Sequence, residues 1–168
     1  ASFEEYMAAL RSKYRRDRNL NLKKASRLRF ARLEEGGFTQ SHYDLYLSVY
    51  RRAEEKLDLM PFEYFRTFEM EIFEIRDLAG RLLAFFHLRE MDDELHFLYV
   101  GFIKDGEAGI PDHELRSVDI YFDILVFILR HGIEQGFEKI IFGPTTEEAK
   151  GKIGCSRESR YVYITSGN

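Results

Sequence analysis

Asp119 to Ile164 reads DIYFDILVFILRHGIEQGFEKIIFGPTTEEAKGKIGCSRESRYVYI, and the architecture follows from it. A long apolar run comes first, then the strand-like FEKIIFG, the turn PTT, the small amphipathic segment EEAKGKIG and the alternating RYVYI. The pattern predicts helix, strand, turn, short helix and strand. Gly132 and Gly136 mark the end of the long helix, and Gly136 suits the position after its last turn because glycine enters the left-handed region freely. Thr145 and Glu148 have the S/T-x-x-E spacing that caps a helix N-terminus. Lys150 falls inside the short helix, and Gly154 can stop it.

The long helix carries Ile120, Phe122, Ile124, Leu125, Phe127, Ile128 and Leu129 around more than one face. A helix of that kind is covered on two sides. One cover is a sheet. The other is the basic N-terminal segment, a further domain or a second copy of the chain.

Upstream, residues 2–24 read as a helix with Phe3, Tyr6, Met7, Leu10 and Tyr14 on one stripe. Leu28–Leu33 alternates as a strand, and Gly36-Gly37 ends it. Thr39, Ser41 and Asp44 offer caps for a helix over 41–57, and Pro61 can start a short one over 61–68. The period then changes to two. Ile72–Ile75 and Leu82–Leu88 flank a turn at Asp77–Gly80, a hairpin, and a second turn at Met91–Asp93 leads into a strand over 94–103. That third strand is apolar on both faces, which places it centrally, and Gly101 within it points to a bulge or to another backbone coming close. Residues 104–116 form the longest loop. The order fits an α/β (α+β) fold, a mixed sheet with an antiparallel meander and helices on both faces.

At 168 residues the chain is expected to form a single domain, of a kind that can be cut from a longer protein, with a core that buries roughly 70% of the unfolded surface. One cysteine, Cys155, excludes an intrachain disulfide and a multi-cysteine zinc site, and the five histidines are scattered. No metal is expected. No apolar run reaches the roughly 18–20 residues that span a bilayer, and a cytoplasmic location is the expectation. The net charge of −4 is unevenly spread, with ten Lys and Arg against three acids in residues 1–32 and an acidic remainder. Arg15 and Arg16 lie in that basic front, which reads as a solvated face, a contact for a phosphate-rich substrate such as tRNA, or a membrane-surface contact.

The run from Ile120 to Gly154 resembles the C-terminal signature of the Fem-like branch of the GNAT acyltransferases, which includes the peptidoglycan-bridge aminoacyltransferases of the cell wall. There a helix ends at a glycine four residues after another small position, a strand ends at F-G, and a short helix carries K-x-x-x-G. The matching positions are His131-Gly132 through Gly136, Phe142-Gly143, and Lys150 to Gly154. The opening LRSKYRRDRN is similar to the basic helix that starts the same domain.

This resemblance implies transfer of an acyl or aminoacyl group from a thioester or ester carrier, acyl-coenzyme A or aminoacyl-tRNA, onto an amine. Such a reaction needs a neutral amine, two substrates within attack distance, a donor for the tetrahedral oxyanion and contacts for the carrier's phosphates. Lys150 is the expected catalytic cation. Gly101 is the expected place for the bulge, and Tyr99, Tyr121, Thr145, Thr146, Arg15 and Arg16 are the expected substrate or carrier contacts. His96, Glu114 and Asp119 are further acid–base candidates. The pyrophosphate motif Q/R-x-x-G-x-G/A is absent from the loop after Lys104, where Asp105, Glu107, Asp112 and Glu114 would repel a pyrophosphate. Fem-like proteins commonly pair two such domains, so a second GNAT-like domain or a homodimer is an expected partner. The alternative reading is a non-catalytic GNAT-fold domain that positions a substrate or partner.

Overall fold

The computed structural model describes residues 2–9, 27–54, 56, 58–67, 71–103, 119–144 and 146–159. The expected loop 104–118, the strand at Arg160–Ile164, Thr145 and the basic pair Arg15 and Arg16 lie outside these residues, as does Glu114.

Within them the order is α1 (Phe3–Ala9), β1 (Leu28–Arg32), α2 (Gln40–Arg52), α3 (Tyr64–Thr67), β2 (Glu71–Asp77), β3 (Leu82–Met91), β4 (Glu94–Phe102), α4 (Ile120–Gln135), β5 (Lys139–Ile141) and α5 (Glu147–Lys152). The five strands form one sheet in the order β1-β2-β3-β4-β5. The first four are antiparallel neighbours, and β5 joins β4 in parallel. A parallel neighbour needs a crossover, which α4 supplies. The expected mixed sheet with an antiparallel meander is therefore the observed one.

Local chemistry explains the framework. The hairpin turn closes because Asp77 Oδ1 accepts from the Ala79 and Arg81 amides while the Gly80 amide donates to the Asp77 carbonyl. Asp119 caps α4 by accepting from the Phe122 amide at 3.0 Å. At the other end Gly136 takes φ +82°, and Phe137 donates back to the Gly132 carbonyl, a Schellman close. Gly132 lends that stop its carbonyl, but its missing side chain serves another purpose. It lies inside α4, where an added Cβ would sit 2.5 Å from Ile140 Cδ1, so its role is to let β5 approach the helix.

Two helices are shorter than their sequence pattern. The pattern for α2 runs to residue 57, yet the helix ends at Arg52. The chain folds back so that the Tyr46 hydroxyl accepts from the Met60 amide and donates to the Asp58 carbonyl, which pins this segment across the helix. Pro61 opens a turn rather than a helix, since its carbonyl accepts from Tyr64, where α3 begins.

The sheet has two unlike faces. Against one lies α4, with Phe73, Ile75, Phe86, Leu88, Leu95 and Phe97 buried beneath it. The second cover on α4 is α1, whose Phe3 is buried under the Arg130 guanidinium at 4.5 Å. Against the other face lie α2 and α3, around an aromatic cluster of Phe38, Tyr46, Phe65 and Phe85. Burying each such ring stabilises the fold by about 2–3 kcal/mol.

Candidate functional site

The site is built around β4. On one side β4 pairs with β3 from Glu94 to Phe102, with a register shift between Phe86 and Leu88. Phe86 faces Val100 and Leu88 faces Phe97, so two residues of β4, Leu98 and Tyr99, stand opposite the single His87. That is a β-bulge. It reverses the alternation: Leu95 and Phe97 face α4 before it, and Val100 and Phe102 do so after it, while Tyr99 turns to the aromatic face. Leu98 is left 38% exposed.

The sequence placed the bulge at Gly101. The structure puts it two residues earlier, and Gly101 pairs regularly with Phe85. Gly101 serves the other expected purpose, a close backbone approach. A Cβ there would lie 2.4 Å from Phe85 Cε1 and 2.6 Å from the Tyr46 backbone nitrogen. Helix α2 can seat only on a glycine.

On its other side β4 pairs with β5 over three positions, Glu94 with Lys139, Leu95 with Ile140 and His96 with Ile141. Among the described residues no strand pairs with β4 on that side from Phe97 onward, and β5 has already ended at Ile141. The described pairing with β5 thus ends just before the bulge. Beyond β5, Gly143 takes φ +72° and Thr146 takes φ 58°, an unusual conformation for a β-branched residue.

Two side-chain bonds hold that turn. Lys150, only 6% exposed, donates from Nζ to the Gly143 carbonyl at 3.0 Å. Burial lowers its pKa, against the raising influence of Cys155 and Glu147. Tyr121, from the first turn of α4, shares a 2.6 Å hydrogen bond with Thr146 Oγ1. Burial raises the Tyr121 pKa, partly offset by that bond. Thr146 is the N-cap of α5, yet its hydroxyl serves Tyr121 rather than the helix. The T-x-x-E cap expected from Thr145 is therefore replaced by Thr146 without a side-chain cap bond.

Tyr121, Thr146 and Lys150 thus converge on the turn after β5, on the α4 side of the sheet, where Tyr121 also packs against Phe102. Tyr99 and Gly101 face the other side, under α2. His96 bonds Glu94 at 3.0 Å on the paired part of β4, and Asp119 is occupied as the α4 cap. No cluster of three or more His, Cys, Asp or Glu suited to a metal occurs among the described residues. No described helix is long and apolar enough to cross a membrane.

Sequence reasoning missed two buried histidines, His42 with its half-buried partner Glu74, and His87. His42 accepts at Nδ1 from the Thr39 amide at 3.1 Å, so Nε2 carries the proton that faces Glu74 Oε2 at 3.2 Å. Burial lowers the His42 pKa although Glu74 pulls it upward. Burial works against the Glu74 carboxylate, but bonds to Arg76 and His42 outweigh it and leave its pKa lowered. The T-x-x-H spacing after Gly37 was the available signal. His87 is fully buried among the rings of Phe38, Phe65, Phe85 and Tyr99, and among the described residues neither ring nitrogen has a hydrogen-bond partner. Burial drops its pKa to about 3. Nothing in its own stretch distinguished it from a strand residue.

No family model and no curated protein matches the sequence. Solved structures do resemble it. The C-terminal DUF2156 domain of an Agrobacterium fabrum protein assigned as a lysylphosphatidylglycerol synthetase aligns with a TM-score of 0.56 at 19% identity, over 88% of this chain and 47% of that one. L-PGS from Bacillus licheniformis aligns at 0.53 and 16%, over 82% and 44%. An aminoglycoside acetyltransferase from an uncultured soil metagenomic sample, in complex with sisomicin, aligns at 0.54 and 11%, over 84% and 97%. The chain spans less than half of the first two chains and nearly all of the third. At these identities the likeness establishes the GNAT fold.

Proposed function

We propose that this chain is an N-acyltransferase domain that moves an acyl or aminoacyl group from a thioester or ester carrier to an amine. The observation that carries the reading is the parting of β4 and β5 beside the Leu98–Tyr99 bulge. A bulge leaves a main-chain group out of the ladder, and an edge without a partner strand accepts an extended arm by main-chain hydrogen bonds. The acyl carbonyl then lies where a β4 N–H can bond the oxyanion as the amine attacks. The new C–N bond forms as the carrier's C–S or C–O bond breaks. The amine proton leaves through a base or water chain.

In this reading Lys150 acts from behind the turn. It fixes the Gly143 carbonyl and holds its ammonium group at the turn after β5. Tyr121 and Thr146 line the turn beyond β5 on the α4 side, and Tyr99 meets the substrate from the other face of the sheet. Two of the neighbours are acetyltransferases or synthetases by name, which supports both an acyl and an aminoacyl donor. Assignment to the Fem-like branch, tRNA as carrier, and a second GNAT-like domain or a homodimer as partner belong to this proposal, as do the expected contacts of Thr145, Arg15 and Arg16.

A transfer assay tests it, with acetyl-coenzyme A and aminoacyl-tRNA as donors and a panel of primary amines as acceptors. Turnover with one donor, reduced at least tenfold by Lys150→Met in a folded protein, is the expected outcome. Absence of turnover and of binding with both donors would leave a non-catalytic domain.

A further inference from the structure

Helix α1 reaches the candidate site from the far end of the chain. It is seven residues long and is capped by Ser2, whose hydroxyl accepts from the Glu5 amide at 3.1 Å. Phe3 anchors it on α4 beneath Arg130, and Tyr6, stacked on Phe3 at 6.1 Å, packs against the same core. The Tyr6 hydroxyl donates to the Ile153 carbonyl. That atom is the C-cap carbonyl of α5, from a residue 147 positions along the chain. The last carbonyls of a helix have no partner inside it, so this donor completes the end of α5.

The bond matters because of what it is joined to. The Ile153 amide donates to the Lys150 carbonyl at 3.1 Å, and Lys150 Nζ donates to the Gly143 carbonyl at 3.0 Å. Three hydrogen bonds, linked through Ile153 and Lys150, thus run from α1 to the turn after β5. Helix α5 has six residues, and isolated helices shorter than about 12 residues are marginal in water. Tertiary contacts therefore set its place. At its C-terminal end these are the Ile153 side chain, 2% exposed in the main core, and the Tyr6 hydroxyl.

We infer that Tyr6 is a positioning residue for the transfer reaction, which acts through the end of α5 to set the Lys150 ammonium against the Gly143 carbonyl. This rests on the acyltransfer reading and adds to it a residue from an element that the reading leaves out. Because Tyr6 acts through Lys150, the effects of changing the two are coupled rather than additive. A tether that only stabilised α5 would show no such coupling. Tyr6→Phe removes the hydroxyl and keeps the ring on Phe3, so α1 is expected to stay seated.

The test is NMR of the chain labelled with carbonyl-13C glycine, as wild type, Tyr6→Phe, Lys150→Met and the double variant. Lys150→Met is expected to move the Gly143 resonance, because its hydrogen bond is lost. Tyr6→Phe should move it part of the way in the same direction, and should move it no further once Lys150 is gone. Gly80, in the turn between β2 and β3, is the control for the fold and should stay fixed. In the transfer assay Tyr6→Phe should lower kcat about threefold with the donor KM unchanged, and should have no effect in the Lys150→Met background. A Gly143 resonance that ignores Tyr6→Phe, or moves equally in both backgrounds, would overturn the inference, as would kinetic effects that simply multiply. The spectra need no donor. Absence of turnover in the wild type would therefore count against the acyltransfer reading, while the spectra still decide the coupling.

Discussion

The two sides of β4 differ in kind. Toward β3 the strand is paired along its whole length, interrupted only by the bulge, and α2 closes over it on a glycine. Toward β5 the pairing lasts three residues, and the chain leaves through a turn that holds a left-handed glycine and a left-handed threonine. The first side is packed to the point where one methyl cannot be added. On the second side two side-chain bonds, Lys150 to Gly143 and Tyr121 to Thr146, fix the turn in which β5 ends. A strand that is rigid along one edge and unpaired, among the described residues, along part of the other can present its backbone to a substrate.

The comparison breaks most visibly at its glycines. Gly101→Ala forces a methyl into the Phe85 ring and the Leu45–Tyr46 backbone, and is expected to cost about 3 kcal/mol in a denaturant melt. Gly143→Ala has only the Phe97 carbonyl near it, at 3.7 Å, and costs about 1 kcal/mol from its positive φ. Equal losses at the two positions would contradict the contrast.

Acid sharpens it next. His87 has a folded pKa of about 3 against 6.5 for an unperturbed histidine. Below pH 6.5 the unfolded chain takes up a proton that the folded chain refuses, so stability falls from pH 6.5 toward pH 3. His87→Phe removes that contribution. Relative to the difference at pH 7, the variant should gain about 2 kcal/mol at pH 5. Urea melts at the two pH values read it, and an unchanged difference would mean that the imidazole is solvated.

A smaller effect is expected on the open side. Tyr121→Phe deletes the bond to Thr146 and should cost about 1 kcal/mol while speeding hydrogen exchange in the turn before α5. Loss of stability without faster exchange there would show that the bond does not hold the turn.

Much of this frame was legible in the chain. The Asp77–Gly80 turn and the Gly136 stop are local signals, each complete within a few residues, whereas Asp119, read as an acid–base candidate, turned out to cap α4. The bulge was not, because Phe97-Leu98-Tyr99-Val100 is apolar throughout and a change of parity leaves no mark in such a run. Gly132 misled for a related reason. A glycine that ends a helix and one that admits a neighbouring side chain look alike until Ile140 is seen beside it. The His42–Glu74 pair spans 32 positions, and only the meeting of α2 with β2 reveals it. Lys150 was found by resemblance and lies in the expected helix, but its bond to Gly143 depends on the path of the turn.

The central claim is that the gap between β4 and β5 receives the carrier's arm. Backbone amide shifts, followed while acetyl-coenzyme A and then an aminoacylated adenosine are titrated in, test it directly. The account predicts saturable shifts at Leu98, Tyr99, Val100 and Gly143 with one of the two compounds. Shifts confined to the β1 edge, or none with either compound, would contradict it.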